Sequence, residues 1–221
     1  MTLRTRWAVI AAVGAVIVYA AMWIGYVQNW AWLDSVDTES LRFFYDFGAT
    51  RSGWVSFWNI FCTVFGPTGF RLMALVLVVV AVLRRDLRTA LFLVLSVGMT
   101  GLVTEVFKRI AGRPRPVTAM TEATSSSFPS GHALGVMVGV LAILTVLWPR
   151  LAGLRIPLAV IGAVLIVMVG VGRVVLNVHH PSDVVAGWAL GYVYYLLCVR
   201  LVSPRPVTAA AERPAELDTV R

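Results

Sequence analysis

The chain has 221 residues, 59% of them hydrophobic and 14% charged, with a formal net charge of +8. A water-soluble domain is about 45–50% apolar and about 25% charged, so these figures exclude a soluble globular domain, and they exclude a disordered chain equally. The length suits about six membrane helices of ~20 residues with short loops and no separate soluble domain.

Arg4 and Arg6 precede an apolar run, Trp7 to Val27. This run exceeds the ~7–15 apolar residues of a signal peptide and no small-x-small cleavage site follows it, so a retained anchor is expected. Residues 28–65 mix Asp34, Asp37, Glu39 and Asp46 with Trp30, Trp32, Phe43, Phe44, Trp54 and Trp58, which suits a segment lying at the membrane interface. A second span is expected over about 65–83, where Leu72–Leu83 is purely apolar and Gly66-Pro67 threatens a break. Arg84, Arg85 and Arg88 follow it. A third span is expected over Thr89–Phe107, then a polar stretch 108–131 rich in Arg, Pro and Ser. The fourth is expected over Ala133–Trp148, the fifth over Ile156–Gly172, and the sixth over Val184–Val202 after a polar turn at 173–183.

The expected fold is therefore all-α: an integral membrane bundle of six transmembrane helices with an outer interfacial helical segment. It forms one domain over 1–203, followed by a disordered cytoplasmic tail over 204–221. Eleven of the 19 basic residues (Arg4, Arg6, Arg84, Arg85, Arg88, Arg150, Arg155, Arg200, Arg205, Arg213, Arg221) fall on one set of ends. Positive charge is retained inside, so a multi-pass protein of the cell membrane with both termini cytoplasmic is expected, and loops 28–65, 108–131 and 173–183 share the outer side. A nucleic-acid partner is not expected, because the cations sit in short loops between apolar runs. Cys62 and Cys198 are far apart and form neither a disulfide framework nor a metal site.

The unusual residues collect in the two later outer loops. The sole lysine, Lys108, and all three histidines, His132, His179 and His180, lie there, with Arg109, Arg113, Arg115, Arg173 and Asp183. Snorkelling to lipid headgroups accounts for Arg109 or Arg113. It does not account for three imidazoles, a carboxylate and several cations on one membrane face. A site for a multiply charged anion does, and phosphate is the natural candidate. Lys108 is followed after six residues by Arg115-Pro116. Pro129-Ser130-Gly131-His132 opens the fourth span. Arg173, then His179 after five residues and Asp183 after three more, opens the sixth.

These three pieces, in order, resemble the signature of the type 2 phosphatidic acid phosphatase (PAP2) superfamily, which includes lipid phosphate phosphatases and vanadium haloperoxidases. The match departs at Gly172, where the family often has Ser. The resemblance implies a lipid phosphate phosphatase acting through a phospho-histidine, with His179 as nucleophile, Asp183 orienting it and His132 as general acid. Lys108, Arg115, Ser130, Gly131 and Arg173 would bind the phosphate. Ser130 suits an N-cap whose helix amides face an anion, and Pro181 suits a first helical position that puts Asp183 in the first turn.

His180 is expected to diverge from His179, and Arg109 and Arg113 to lie at the surface, with Glu105 pairing with a nearby cation. No cofactor or metal is expected: no His-x3-His or Glu-x2-His pair lies on a helix. The Gly135/Gly139 and Gly187/Gly191 pairs are expected to bring the fourth and sixth spans into close contact. The expected substrates are phosphatidic acid, phosphatidylglycerophosphate or a polyprenyl diphosphate drawn from the bilayer. A lipid phosphotransferase and an anion channel or transporter using the same basic cluster are the alternatives. Oligomeric state and preferred lipid are open.

Overall fold

The structure is a computed structural model and describes residues 3–204. The expected tail 204–221 lies outside the described residues except for Pro204. Among the described residues there are nine α-helices: α1 (Leu3–Val27), α2 (Ala31–Gly48), α3 (Ser52–Val64), α4 (Pro67–Leu83), α5 (Leu87–Leu93), α6 (Thr100–Ala111), α7 (Gly131–Leu147), α8 (Arg155–Val175) and α9 (Pro181–Leu201). A π-helical turn, Val94–Gly98, joins α5 to α6. Six segments are long and apolar enough to cross a membrane: Arg6–Val27, Ser52–Leu83, Leu87–Ala111, Gly131–Arg150, Ala152–Val175 and Pro181–Leu201.

The second segment corrects the expectation. The interfacial stretch ends at Gly48, and α3 runs into the second crossing rather than lying outside it. The crossing is broken at Phe65-Gly66, where Pro67 takes the first position of α4 and Gly66 adopts extended backbone as its N-cap. A Cβ on Gly66 would fall 2.0 Å from the Cys62 carbonyl oxygen and 3.1 Å from His132 Cδ2, so only glycine fits the bend. Trp54, Trp58 and Phe61 pack edge to face along α3, with centroids 5.7 and 5.8 Å apart.

α2 has the pattern of a helix buried on one stripe. Leu33, Asp37 and Leu41, spaced by four, face the bundle, while Trp32, Val36 and Phe43 face outward. α7 is the most enclosed spanning helix and α1 the least. α7 packs against α9, α8 and α4, and α1 packs along α9. The α4–α5 and α7–α8 turns, carrying Arg84, Arg85, Arg150 and Arg155, lie at the end of the bundle opposite the 112–130 loop.

The two glycine pairs divide their work. On α9, a Cβ at Gly187 would meet the Ser130 carbonyl oxygen at 2.6 Å, and one at Gly191 would meet the Leu134 carbonyl oxygen at 2.9 Å, so this pair does seat α9 on α7. Gly135 and Gly139 instead face α4, where a Cβ would meet Pro67 Cγ at 2.7 Å and Phe70 Cγ at 2.6 Å. The small faces of α7 admit the Pro and Phe of the broken second crossing, so the expected close approach of the fourth and sixth spans is formed, but through the α9 pair alone.

Candidate active site

α6 closes on Gly112, whose φ of 61° is left-handed and whose amide donates to the Lys108 carbonyl. The chain then doubles back through Arg113-Pro114-Arg115 against the serine run 125–127. Lys108 Nζ donates to Ser125 Oγ at 3.0 Å and to the Ser126 carbonyl. Arg115 Nε donates to the Ser125 carbonyl at 2.7 Å, and Ser127 N donates to the Arg113 carbonyl at 2.8 Å. The three serines tie the first signature piece into one rigid loop, a role sequence reasoning missed although the run itself was visible.

Ser130 caps α7, accepting at long range from Ala133 N at 3.5 Å, and its own amide donates to the Asp183 carbonyl at 2.9 Å. That bond joins the starts of α7 and α9. Gly131 and His132 keep partial exposure while the neighbouring residues are buried. The His132 ring lies against the bend of the second crossing, where a Cβ on Gly66 would meet its Cδ2 at 3.1 Å.

Between α8 and α9 the chain turns at Asn177, a buried residue with φ of 53°, a conformation asparagine tolerates. Its side chain accepts from Thr118 Oγ1 at 2.8 Å. The turn brings His179 N to within 3.3 Å of the Arg173 carbonyl, so the two residues stand together. Asn177 carries no motif signal, and sequence reasoning passed over it.

His179 is 2% exposed. Arg115 Nη1 lies 3.3 Å from its Nε2. A guanidinium only donates, so Nε2 must hold a lone pair and the proton of the neutral ring sits on Nδ1. Nδ1 faces Asp183 Oδ2 at 3.4 Å. The contact is not aligned as a hydrogen bond, and Nδ1 has no other partner among the described residues. Asp183 Oδ2 instead accepts from the His180 amide at 2.9 Å. Burial pushes the His179 imidazole down to about 3, with Arg173 and Arg115 adding to the effect and Asp183 opposing it.

A sign follows for acid stability. Between about 6.5 and about 3 the unfolded chain takes up a proton that folded His179 refuses, so stability declines as pH falls through that window. Going from pH 7 to pH 5 should cost about 2 kcal/mol at this residue. Unfolding of wild type and His179→Gln in detergent at both pH values measures the difference, and parallel pH slopes would contradict it.

Two expectations fail here. His180 does not diverge: it is the N-cap of α9, and its Nδ1 lies 3.2 Å from the same Asp183 Oδ2. The carboxylate in the first turn draws both adjacent imidazoles. Arg113 is not at the surface: at 7% exposure it lies between Asp37 and Asp183, 2.8 and 2.7 Å away. Buried carboxylates demand a partner, and Arg113 is the cation in reach. Arg109, by contrast, is exposed and pairs with Glu105 at 2.9 Å.

Arg173 is 7% exposed, and its Nε is buried without a partner among the described residues. A buried guanidinium whose Nε has no partner among the described residues, beside a partly exposed helix start, is chemically suited to an incoming dianion. The Gly172 departure also has its cause. A Cβ there would sit 2.6 Å from Cys62 Sγ and 2.8 Å from Trp58 Cε3. Gly172→Ser should therefore destabilise by about 1–3 kcal/mol through overpacking. Detergent unfolding measures it, with Cys62→Ala in the same chain recovering part of the loss. A wild-type midpoint in the single variant would refute the clash.

Six apolar crossings, with three signature pieces meeting at one end of the bundle, define an all-α integral membrane protein. The chain belongs to the PAP2 superfamily, whose sequence model matches residues 89–206. It is 29% identical over 137 residues to the undecaprenyl-diphosphatase of Sulfolobus acidocaldarius, covering 57% of this chain and 61% of that protein. It is 34% identical over 111 residues to phosphatidylglycerophosphatase B of Bacillus subtilis, covering 48% and 55%. The chain thus matches between about half and three fifths of the length of these curated relatives. The crystal structure of a transmembrane PAP2 type phosphatidylglycerolphosphate phosphatase from Bacillus subtilis shares the fold, with a TM-score of 0.60, 24% identity, and coverage of 88% of this chain and 94% of that one.

Proposed function

We propose that the protein is a membrane phosphatase that hydrolyses lipid phosphates or diphosphates through a phospho-histidine on His179. The observation that carries this reading is the His179 ring itself: buried, neutral, with the Nε2 lone pair turned toward Arg115 and Nδ1 toward Asp183. Nε2 attacks phosphorus as the bond to the leaving oxygen breaks, and His132 gives that oxygen its proton. Asp183 stabilises the positive charge that develops on the ring. Lys108, Arg115 and Arg173, with the Gly131 amide at the start of α7, hold the phosphoryl oxygens and offset their charge in the transition state, while Ser130 caps that helix. Water, activated by His132, then cleaves the phospho-histidine and releases phosphate.

The substrate reaches the site from the bilayer, its chain remaining in lipid. The names of the relatives support a phosphorylated isoprenoid or glycerolipid, and the candidates are phosphatidic acid, phosphatidylglycerophosphate and a polyprenyl diphosphate. The site faces the extracytoplasmic side with both termini cytoplasmic, a reading supported by the arginines of the opposite turns.

Phosphate release by purified protein from a panel of these lipids, with and without EDTA, tests the reaction. Release that requires added metal contradicts the mechanism. Labelling a cysteine placed near residue 120 in intact cells tests sidedness, and protection from a membrane-impermeant reagent reverses the topology.

A further inference from the structure

Asp37 lies on α2, outside all three signature pieces, yet it is 1% exposed and aimed at the start of α9. Its Oδ1 accepts from Ser182 N at 3.0 Å, and its Oδ2 accepts from Ser182 Oγ and from Arg113 Nη2, the latter at 2.8 Å. Arg113 Nη1 in turn donates to Asp183 Oδ1 and Ser182 Oγ, both at 2.7 Å. The guanidinium lies over the Tyr26 ring, 4.6 Å from its centroid, which fixes its plane from the α1 side.

Asp183 therefore has both oxygens engaged, Oδ1 by Arg113 and Oδ2 by the His180 amide. It cannot rotate without breaking one of these bonds, so Oδ2 stays directed at His179 Nδ1. One guanidinium serves two buried carboxylates. Its fork reaches both at once, and a lysine ammonium cannot reproduce that geometry.

From this geometry we infer that Arg113 and Asp37 are a positioning pair for the reaction. They hold the Asp183 carboxylate behind His179 and so make the interfacial helix α2 part of the catalytic apparatus without touching substrate. This rests on the reading of His179 as nucleophile given above. The cations that meet the phosphoryl group, Lys108, Arg115 and Arg173, are not members of the pair, so substrate capture and turnover should separate.

The test uses the full chain in detergent, with vanadate as a phosphate mimic to count intact sites. In Arg113→Lys and Asp37→Asn, kcat per vanadate site should fall about 10- to 100-fold, the scale of a displaced reacting group, while KM and vanadate affinity stay within about threefold. Asp37→Asn keeps an acceptor for Ser182 N and should lose less than Asp37→Ala. Wild-type kcat per site in both variants overturns the proposal, as does a loss of vanadate sites with kcat per site unchanged, which marks a merely structural pair. Should neither variant fold, Ser182→Ala removes one hydroxyl between the two carboxylates and carries the same expectation at smaller amplitude. A wild type that binds vanadate and turns over, with unaffected variants, sinks the pair alone. A wild type that does neither sinks the functional reading with it.

Discussion

His179→Ala should lower phosphate release by about 10³-fold or more, the scale seen when a nucleophile is removed from a preorganised site. No neighbour can take over. The His180 ring lies against Asp183 Oδ2 at 3.2 Å as the cap of α9, and the guanidinium of Arg115 faces His179 rather than His180. Asp183 alone, held by Arg113 and the His180 amide, has no free rotation toward phosphorus. Vanadate binding should survive, because the cations remain. Initial rates on the best lipid of the panel, set beside vanadate affinity, make the measurement. Turnover retained in a folded variant would move the nucleophile elsewhere.

The second large effect is expected at a residue with no chemistry of its own. Gly187→Val places a Cβ 2.6 Å from the Ser130 carbonyl oxygen and 2.9 Å from Ala133 Cβ. The first neighbour is backbone at the capped start of α7, so it cannot turn aside. It can move only by carrying Ser130 and His132 away from Asp183, against the Ser130 N to Asp183 carbonyl bond of 2.9 Å. The cost is about 1–3 kcal/mol of overpacking or more. It should come with a fall in turnover of about 100-fold, since an ångström of misplacement is enough. Gly14→Ala is the control: a Cβ there meets nothing within 4 Å and should be silent or mildly stabilising. Unfolding midpoints and rates in detergent read both, and a silent Gly187→Val would remove the seam from the account.

The grouping of the candidate site residues was largely readable as sequence because each signature piece lies within a short stretch of chain. His179 and Asp183 are one helical turn apart, Ser130 and His132 flank one cap, and Lys108 and Arg115 bracket one loop. The crossings were readable because a run of apolar residues is a local quantity. Their ends moved by only a few residues, except in the second crossing. There Gly66-Pro67 was visible as a possible break, but whether α3 lay along the surface or entered the bundle depended on what Trp58 and Cys62 pack against, and that is α8.

The rest depended on approaches across long stretches of chain. Arg113 could be read as a surface residue because nothing within its own loop demands it; the carboxylates that do are 76 and 70 residues away. Asp37 looked like one acid among several in an interfacial helix, although its position between Leu33 and Leu41 on the inward stripe was an available signal. The partners of Gly135 and Gly139, and the reason for Gly172, appear only when α3, α4, α7 and α8 are assembled. Local order, hydropathy and motif spacing were determined by the sequence alone, since helix formation and capping involve neighbours within a few residues. Which buried charge answers which, and which glycine faces which helix, was decided by the tertiary structure, because desolvation and steric exclusion act only once distant segments share the same space.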